Sequence, residues 1–162
     1  MKVPLSWLRD YVEIDITPHE LARKLTFAGL EVEAMEYIGL SKPHGDRHET
    51  KTTGIEWSRE SIVIGDILEV NSHPNADRLV IMQLYDGDQI QTVLTGAPNL
   101  FPYKGQGLLK DPLKVAYAKE GALIYDGHHH GHKLMKLKRA NLRGVESYSM
   151  VCSEKELGIS DE

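Results

Sequence analysis

Leu142-Arg143-Gly144-Val145-Glu146-Ser147-Tyr148-Ser149-Met150-Val151-Cys152-Ser153 and, about seventy positions upstream, His73-Pro74-Asn75-Ala76-Asp77-Arg78-Leu79 decide how this chain is read. The region they bracket is built of short apolar runs. Ile62 to Val70 reads as a strand whose Gly65 marks a bulge or a barrel bend. Leu79 to Tyr85 is a second strand, ended by the hairpin signal Asp86-Gly87-Asp88. Ile90 to Leu94 is a third. Val115 to Ala118, Ala122 to Tyr125 and a last strand near Leu137 to Leu142 follow. Several short strands with regular turns point to a small barrel. Ser153-Glu154-Lys155-Glu156 is a capping box, and Gly158 can close a short helix behind it.

Outward toward the N-terminus, residues 41–58 are polar and rich in turn formers, and read as a flexible linker with Trp57 anchoring its far end. Residues 1–40 form a separate unit. Thr17-Pro18-His19-Glu20 is a helix start, with Thr17 as cap and Pro18 where its missing N–H costs nothing. Leu21, Ala22, Leu25 and Ala28 recur at helical spacing, and Gly29 can end the helix. The alternation from Glu31 to Ile38 predicts a strand.

The bulk properties bound the function. The 162 residues carry 41% hydrophobic and 27% charged side chains and a net charge of −5. That suffices for a core but offers no global attraction to phosphate, so nucleic-acid binding has to come from a local patch. One cysteine, Cys152, excludes an intrachain disulfide and suits a reducing compartment. No signal core and no membrane-length apolar run is present, so the expectation is a cytoplasmic protein without a membrane partner. The chain stops at Ser160-Asp161-Glu162 just past a helix-like segment, as a piece of a longer protein would.

Lys133, Lys136, Lys138, Arg139 and Arg143 fall within eleven positions with no acid among them. Backbone phosphate favours such a cluster through counterion release; an ordinary solvated strand face would look the same. Phe101, Tyr103, Tyr117, Tyr125 and Tyr148 could stack bases, Tyr148 first because it lies in the signature. His73 and Asp77 admit a base-and-orienter reading, less favoured than a turn that Pro74 and Asn75 mark and Asp77 closes. The run His128-His129-His130-Gly131-His132 invites a metal, but a glycine-flanked histidine run lacks the ordered support a required zinc site needs. No Walker loop or dinucleotide fingerprint is present.

On His73 to Leu79, Gly96-Ala97-Pro98-Asn99, Leu142 to Ser153 and Glu156-Leu157-Gly158, residues 60–158 resemble the tRNA-binding oligonucleotide/oligosaccharide-binding (OB) domain. That domain is appended to bacterial phenylalanyl- and methionyl-tRNA synthetases and also occurs free-standing. Met1-Lys2-Val3-Pro4-Leu5-Ser6-Trp7-Leu8 and Leu25-Thr26-Phe27-Ala28-Gly29-Leu30-Glu31-Val32-Glu33 further resemble the opening of the phenylalanyl-tRNA synthetase β-subunit family. The resemblance implies an α+β, mainly β chain: a five-stranded OB barrel with an N-terminal helix–strand appendage. The expected organisation is half of a split domain over 1–40, linker 41–58, OB domain 59–158 and tail 159–162.

The implied function is tRNA docking by Lys136, Lys138, Arg139 and Arg143, with polar contacts from Asn75, Arg78 and Ser147 and stacking by Tyr148. A turn between the first two strands of such a barrel is where nucleic acids are contacted. The resemblance implies no catalytic residue, no metal and no cofactor in this stretch. For the parent enzyme it implies ATP, magnesium and an α-subunit partner in a heterotetramer. Two departures stand out. Ser149 occupies a place where the family usually has glycine, and residues 100–112 are longer and more irregular than expected. A structural barrel with little RNA affinity, a free-standing tRNA-binding protein and a histidine-run metalloenzyme are the competing readings.

Overall fold

The computed structural model describes residues 1–43 and 50–160, which fall into two compact units: Met1–Glu36 with Lys42–Thr53, and Tyr37–Ser41 with Gly54–Glu162. Part of the expected linker (44–49) and the last two residues of the expected tail lie outside the described residues.

In the first unit, helix α1 (Leu5–Arg9) buries none of its residues. Helix α2 (Pro18–Phe27) starts where the sequence predicts, with Pro18 at its first position and Thr17 Oγ1 accepting from the Glu20 amide at 3.2 Å. Gly29, at φ +92°, and Leu30 close it through amide bonds to Thr26 and Leu25. Thr26 turns its hydroxyl back to the Ala22 carbonyl and accepts from the Val32 amide. Trp7, Tyr11, Phe27 and Leu30 are exposed.

Strands β1 (Ala34–Ile38) and β2 (Lys51–Ile55) form a two-stranded sheet, so the stretch expected as linker contains a strand. Gly54 makes the pairing feasible: at φ +122°, a Cβ there would sit 1.9 Å from the Tyr37 carbonyl oxygen. Trp57 does act as an anchor, its Nε1 donating to the Leu157 carbonyl at 3.1 Å.

The second unit is a nearly closed, antiparallel five-stranded barrel. Its order is β11 (Met150–Val151), β6 (Leu108–Ala118), β3 (Ile62–His73), β4 (Ala76–Tyr85), β5 (Ile90–Thr95). This is the OB arrangement. Its core gathers Ile67, Val70, Val80, Met82, Leu84 and Val93, all fully buried, with Tyr117. Each such aliphatic contributes roughly 1.5–3 kcal/mol. In β4 the inward residues alternate in strict period two, as an antiparallel strand with one wet face requires. In β3 they do not: Ile67 and Val70, three apart, both point inward. The register against β4 slips between Ile67 and Glu69, so Leu68 is the extra residue of a bulge. The expected bulge at Gly65 is therefore displaced. Gly65 pairs regularly with Val115, and its missing side chain admits Leu84, whose Cδ2 would lie 2.7 Å from a Cβ.

A 3₁₀ helix (Pro98–Tyr103) carries Leu100 into the core, which accounts for the irregular stretch after Asn99. The single strand expected near Leu137–Leu142 is instead two, β8 (Leu134–Lys136), paired with β7 (Leu123–Tyr125), and β9 (Ala140–Leu142), paired with β10 (Val145–Ser147). The signature closes the barrel. The Tyr148 amide donates to the Thr92 carbonyl at 3.0 Å, and Ser147 Oγ accepts from the Leu94 amide at 3.0 Å and donates to the Ser149 carbonyl. Ser149, at φ +79°, makes the kink between β10 and β11. Helix α3 (Glu154–Leu157) then starts on the predicted Ser153/Glu156 capping box and ends at left-handed Gly158.

Candidate nucleic-acid interface

Two turns meet at one end of the barrel. Pro74 and Asn75 join β3 to β4. Arg143 and Gly144 join β9 to β10, with Leu142 opposite Val145, so the loop is two residues long. Both loop residues have positive φ (52° and 91°), as a type I′ hairpin demands. Arginine is a poor fit there, since an L side chain in the left-handed region crowds its own carbonyl.

Three hydrogen bonds tie the two turns, and a fourth, within the β3–β4 turn, orients the histidine that makes one of them. Asn75 Nδ2 donates to the Arg143 carbonyl and Arg143 Nη1 donates to the Asn75 carbonyl, both at 3.2 Å. Beneath them, His73 accepts from the Asn75 amide at Nδ1 (3.0 Å) and its Nε2 lies 3.1 Å from the Leu142 carbonyl. A ring that accepts at Nδ1 and donates at Nε2 is the neutral Nε2–H tautomer. With both nitrogens engaged and 5% of its surface exposed, His73 is not placed as a general base.

Further cations stand at the same turn. Lys104 reaches from beyond the 3₁₀ helix, donating to the Asp77 carbonyl at 3.3 Å with its ammonium 4.0 Å from the Phe101 ring centroid. Arg78, three residues past Asn75, is exposed on β4. Asp77, the residue before it, is exposed too. Lys104 was not among the sequence candidates: a lone lysine in an irregular loop has no pattern to find it by, although Phe101 beside it was noted as aromatic.

The remaining candidates do not converge on this point. Lys136 and Lys138 are exposed on either side of buried Leu137, and among the described residues neither contacts Asn75 or Arg143. Arg139 is paired with Glu120, Nε to Oε2 at 2.8 Å, a bond that pushes its pKa further up. Its guanidinium also lies 4.8 Å from the centroid of Tyr148, whose hydroxyl donates to Glu146 Oε2 at 3.0 Å. Ser147, expected as a polar contact, is 3% exposed and uses its hydroxyl in closing the barrel.

The histidine run folds onto its own loop. Asp126 accepts from the His128 amide and lies 3.7 Å from His129, and His132 stacks on Tyr125. Among the described residues no three His, Cys, Asp or Glu side chains are placed to hold a metal ion. Burial, helped by the Glu156 charge, pushes the Cys152 thiol up to about 12, far from a reactive thiolate. No helix among the described residues is long and apolar enough to cross a membrane.

Comparison with known proteins bears on the barrel and on the chain as a whole. Residues 62–162 match the family described as "Putative tRNA binding domain". Over its full 162 residues the chain is 44% identical to a phenylalanine–tRNA ligase beta subunit of Dehalococcoides mccartyi (strain CBDB1), and 39% identical to that of Protochlamydia amoebophila (strain UWE25). A third, from Oceanobacillus iheyensis, is 37% identical over 163 residues. The chain spans 16–17% of the length of these relatives.

Proposed function

The chain belongs to the tRNA-binding domain family, and on that footing we propose that its barrel docks tRNA where the β3–β4 turn meets the β9–β10 turn. The observation that carries this reading is the reciprocal Asn75–Arg143 contact. It joins the loop between the first two barrel strands to the loop before the last, the two loops with which OB barrels hold oligonucleotides. Arg143, Arg78 and Lys104 supply positive charge for backbone phosphate. Asn75 offers polar groups to phosphate or a base edge. Lys136, at the end of β8, and Lys138, just past it, add phosphate contacts away from this turn. Tyr148, half-exposed and held by Arg139 and Glu146, serves as a stacking platform for an open base. Docking is electrostatic, so a molecule of net charge −5 binds only through this local field.

In the whole protein the chain acts as the tRNA-binding module of a phenylalanine–tRNA ligase β subunit, partnered by an α subunit in a cytoplasmic heterotetramer. That ligase joins phenylalanine to tRNA with ATP and magnesium. The barrel itself performs no chemistry in this reading, and its contribution is position.

Titration of a labelled tRNA(Phe) transcript at about 50 and about 200 mM salt tests the proposal. With about four phosphates neutralised, affinity should fall at least tenfold over that range. A second reading, a structural barrel with little RNA affinity, is favoured by the internal neutralisation of Arg139 by Glu120. Absence of binding at low salt selects it.

A further inference from the structure

We infer that His73 is a positioning residue for the docking surface, a buried tie that holds the β3–β4 and β9–β10 turns as one preformed unit before RNA arrives; this rests on the docking reading above. The β9–β10 hairpin has three residue pairs, and a two-stranded ribbon of that length is marginal on its own. Its turn also carries the strained Arg143. The Arg143–Asn75 bonds that hold the tip are solvent-exposed, where water competes for every donor. His73 is different: buried, with one nitrogen on the Asn75 amide and the other on the Leu142 carbonyl. It fixes the residue on one side of the interface and the residue preceding Arg143 on the other. Ordering the two turns is thus done in the free protein rather than charged to the binding step.

A positioning role differs from a phosphate contact in its salt signature. Loss of a phosphate contact lowers the slope of log K against log salt by about one, whereas loss of preorganisation lowers affinity and leaves the slope alone. The test uses the 162-residue chain and a tRNA(Phe) transcript. H73L is expected to bind about tenfold more weakly with an unchanged salt slope. Amides of 141–146 should exchange faster without tRNA and regain protection with it. R143A should lose affinity and slope together. H73Q, whose amide can accept from Asn75 and donate to Leu142, should recover most of the affinity.

Wild-type affinity in a folded H73L, or a slope reduced as in R143A, overturns the inference. If H73L does not fold, H73Q decides: near-native binding supports the role, and a tenfold loss with native melting overturns it. A wild-type chain that binds no tRNA at low salt defeats the docking reading itself, and the positioning role with it.

Discussion

Arg143 and Asn75, 68 positions apart, each donate a side-chain hydrogen bond to the other's backbone carbonyl at 3.2 Å. The pairing places a positive charge at the tip of a hairpin in a backbone conformation that arginine disfavours, φ +52°. Strain of this kind persists where something other than stability keeps the residue there.

Replacing Arg143 therefore separates stability from binding. In R143N the turn acquires the Asn-Gly pair that type I′ hairpins prefer. Relief of about 1 kcal/mol of left-handed strain outweighs an exposed hydrogen bond of about 0.5 kcal/mol. Urea unfolding should show a gain of about 0.5 kcal/mol, while tRNA affinity falls severalfold. A variant that is both weaker-folded and equally tight would refute this assignment.

Ser149 offers a cleaner gain. It sits at φ +79°, 6% exposed, and among the described residues its hydroxyl makes no hydrogen bond of good geometry, its nearest polar neighbour being the Tyr117 hydroxyl. Strain of about 1 kcal/mol and an unpaired buried hydroxyl of about 1–3 kcal/mol exceed the roughly 0.5–1 kcal/mol of extra unfolded-state freedom that glycine brings. S149G is expected to stabilise the chain by about 1–2 kcal/mol in chemical denaturation, leaving tRNA affinity unchanged.

Glu120 neutralises Arg139 through their ion pair. E120Q keeps the shape and frees the guanidinium's charge. Affinity for tRNA should rise about threefold at low salt, with the gain screened away at high salt. Unchanged affinity at low salt would place Arg139 outside the field that RNA experiences.

Asp86 is expected to contribute acid sensitivity. Burial pushes its carboxyl up, but amide bonds from Gln89 and Asp88 together with Lys119 outweigh burial and leave it below its ordinary value. A carboxylate depressed in the fold adds stability that is fully present above its unfolded pKa, about 3.9, and is lost as pH falls through the lower folded one. The free energy of unfolding should decline below about pH 4, and D86N, whose carbonyl oxygen still accepts both amides, should show a shallower decline.

Much of the barrel was legible because its strands obey local rules. The Asp86-Gly87-Asp88 turn, the capping box at Ser153 and the apolar alternation of β4 each state their structure within a few residues. What escaped is tertiary. The bulge falls at Leu68 rather than Gly65, because the space Gly65 vacates goes to Leu84 across the sheet. Leu142-Arg143-Gly144-Val145 carried a hairpin signal, two residues with glycine second, that a single strand reading overlooked. Asn75 and Arg143 both lie in the signature segments, and the fold brings those two together. Ser147 lay in the same signature for a different reason, as a strut between strands. Lys104 and the Glu120–Arg139 pair depend on contacts between distant segments, which no local pattern encodes.

Residue-resolved NMR of the chain titrated with tRNA(Phe) tests the central claim most directly. The account predicts that amide shifts concentrate on 73–78, Lys104, 136–144 and Tyr148, saturate with one affinity and vanish together as salt is raised. Shifts confined to other faces of the barrel, or none at low salt, would contradict it.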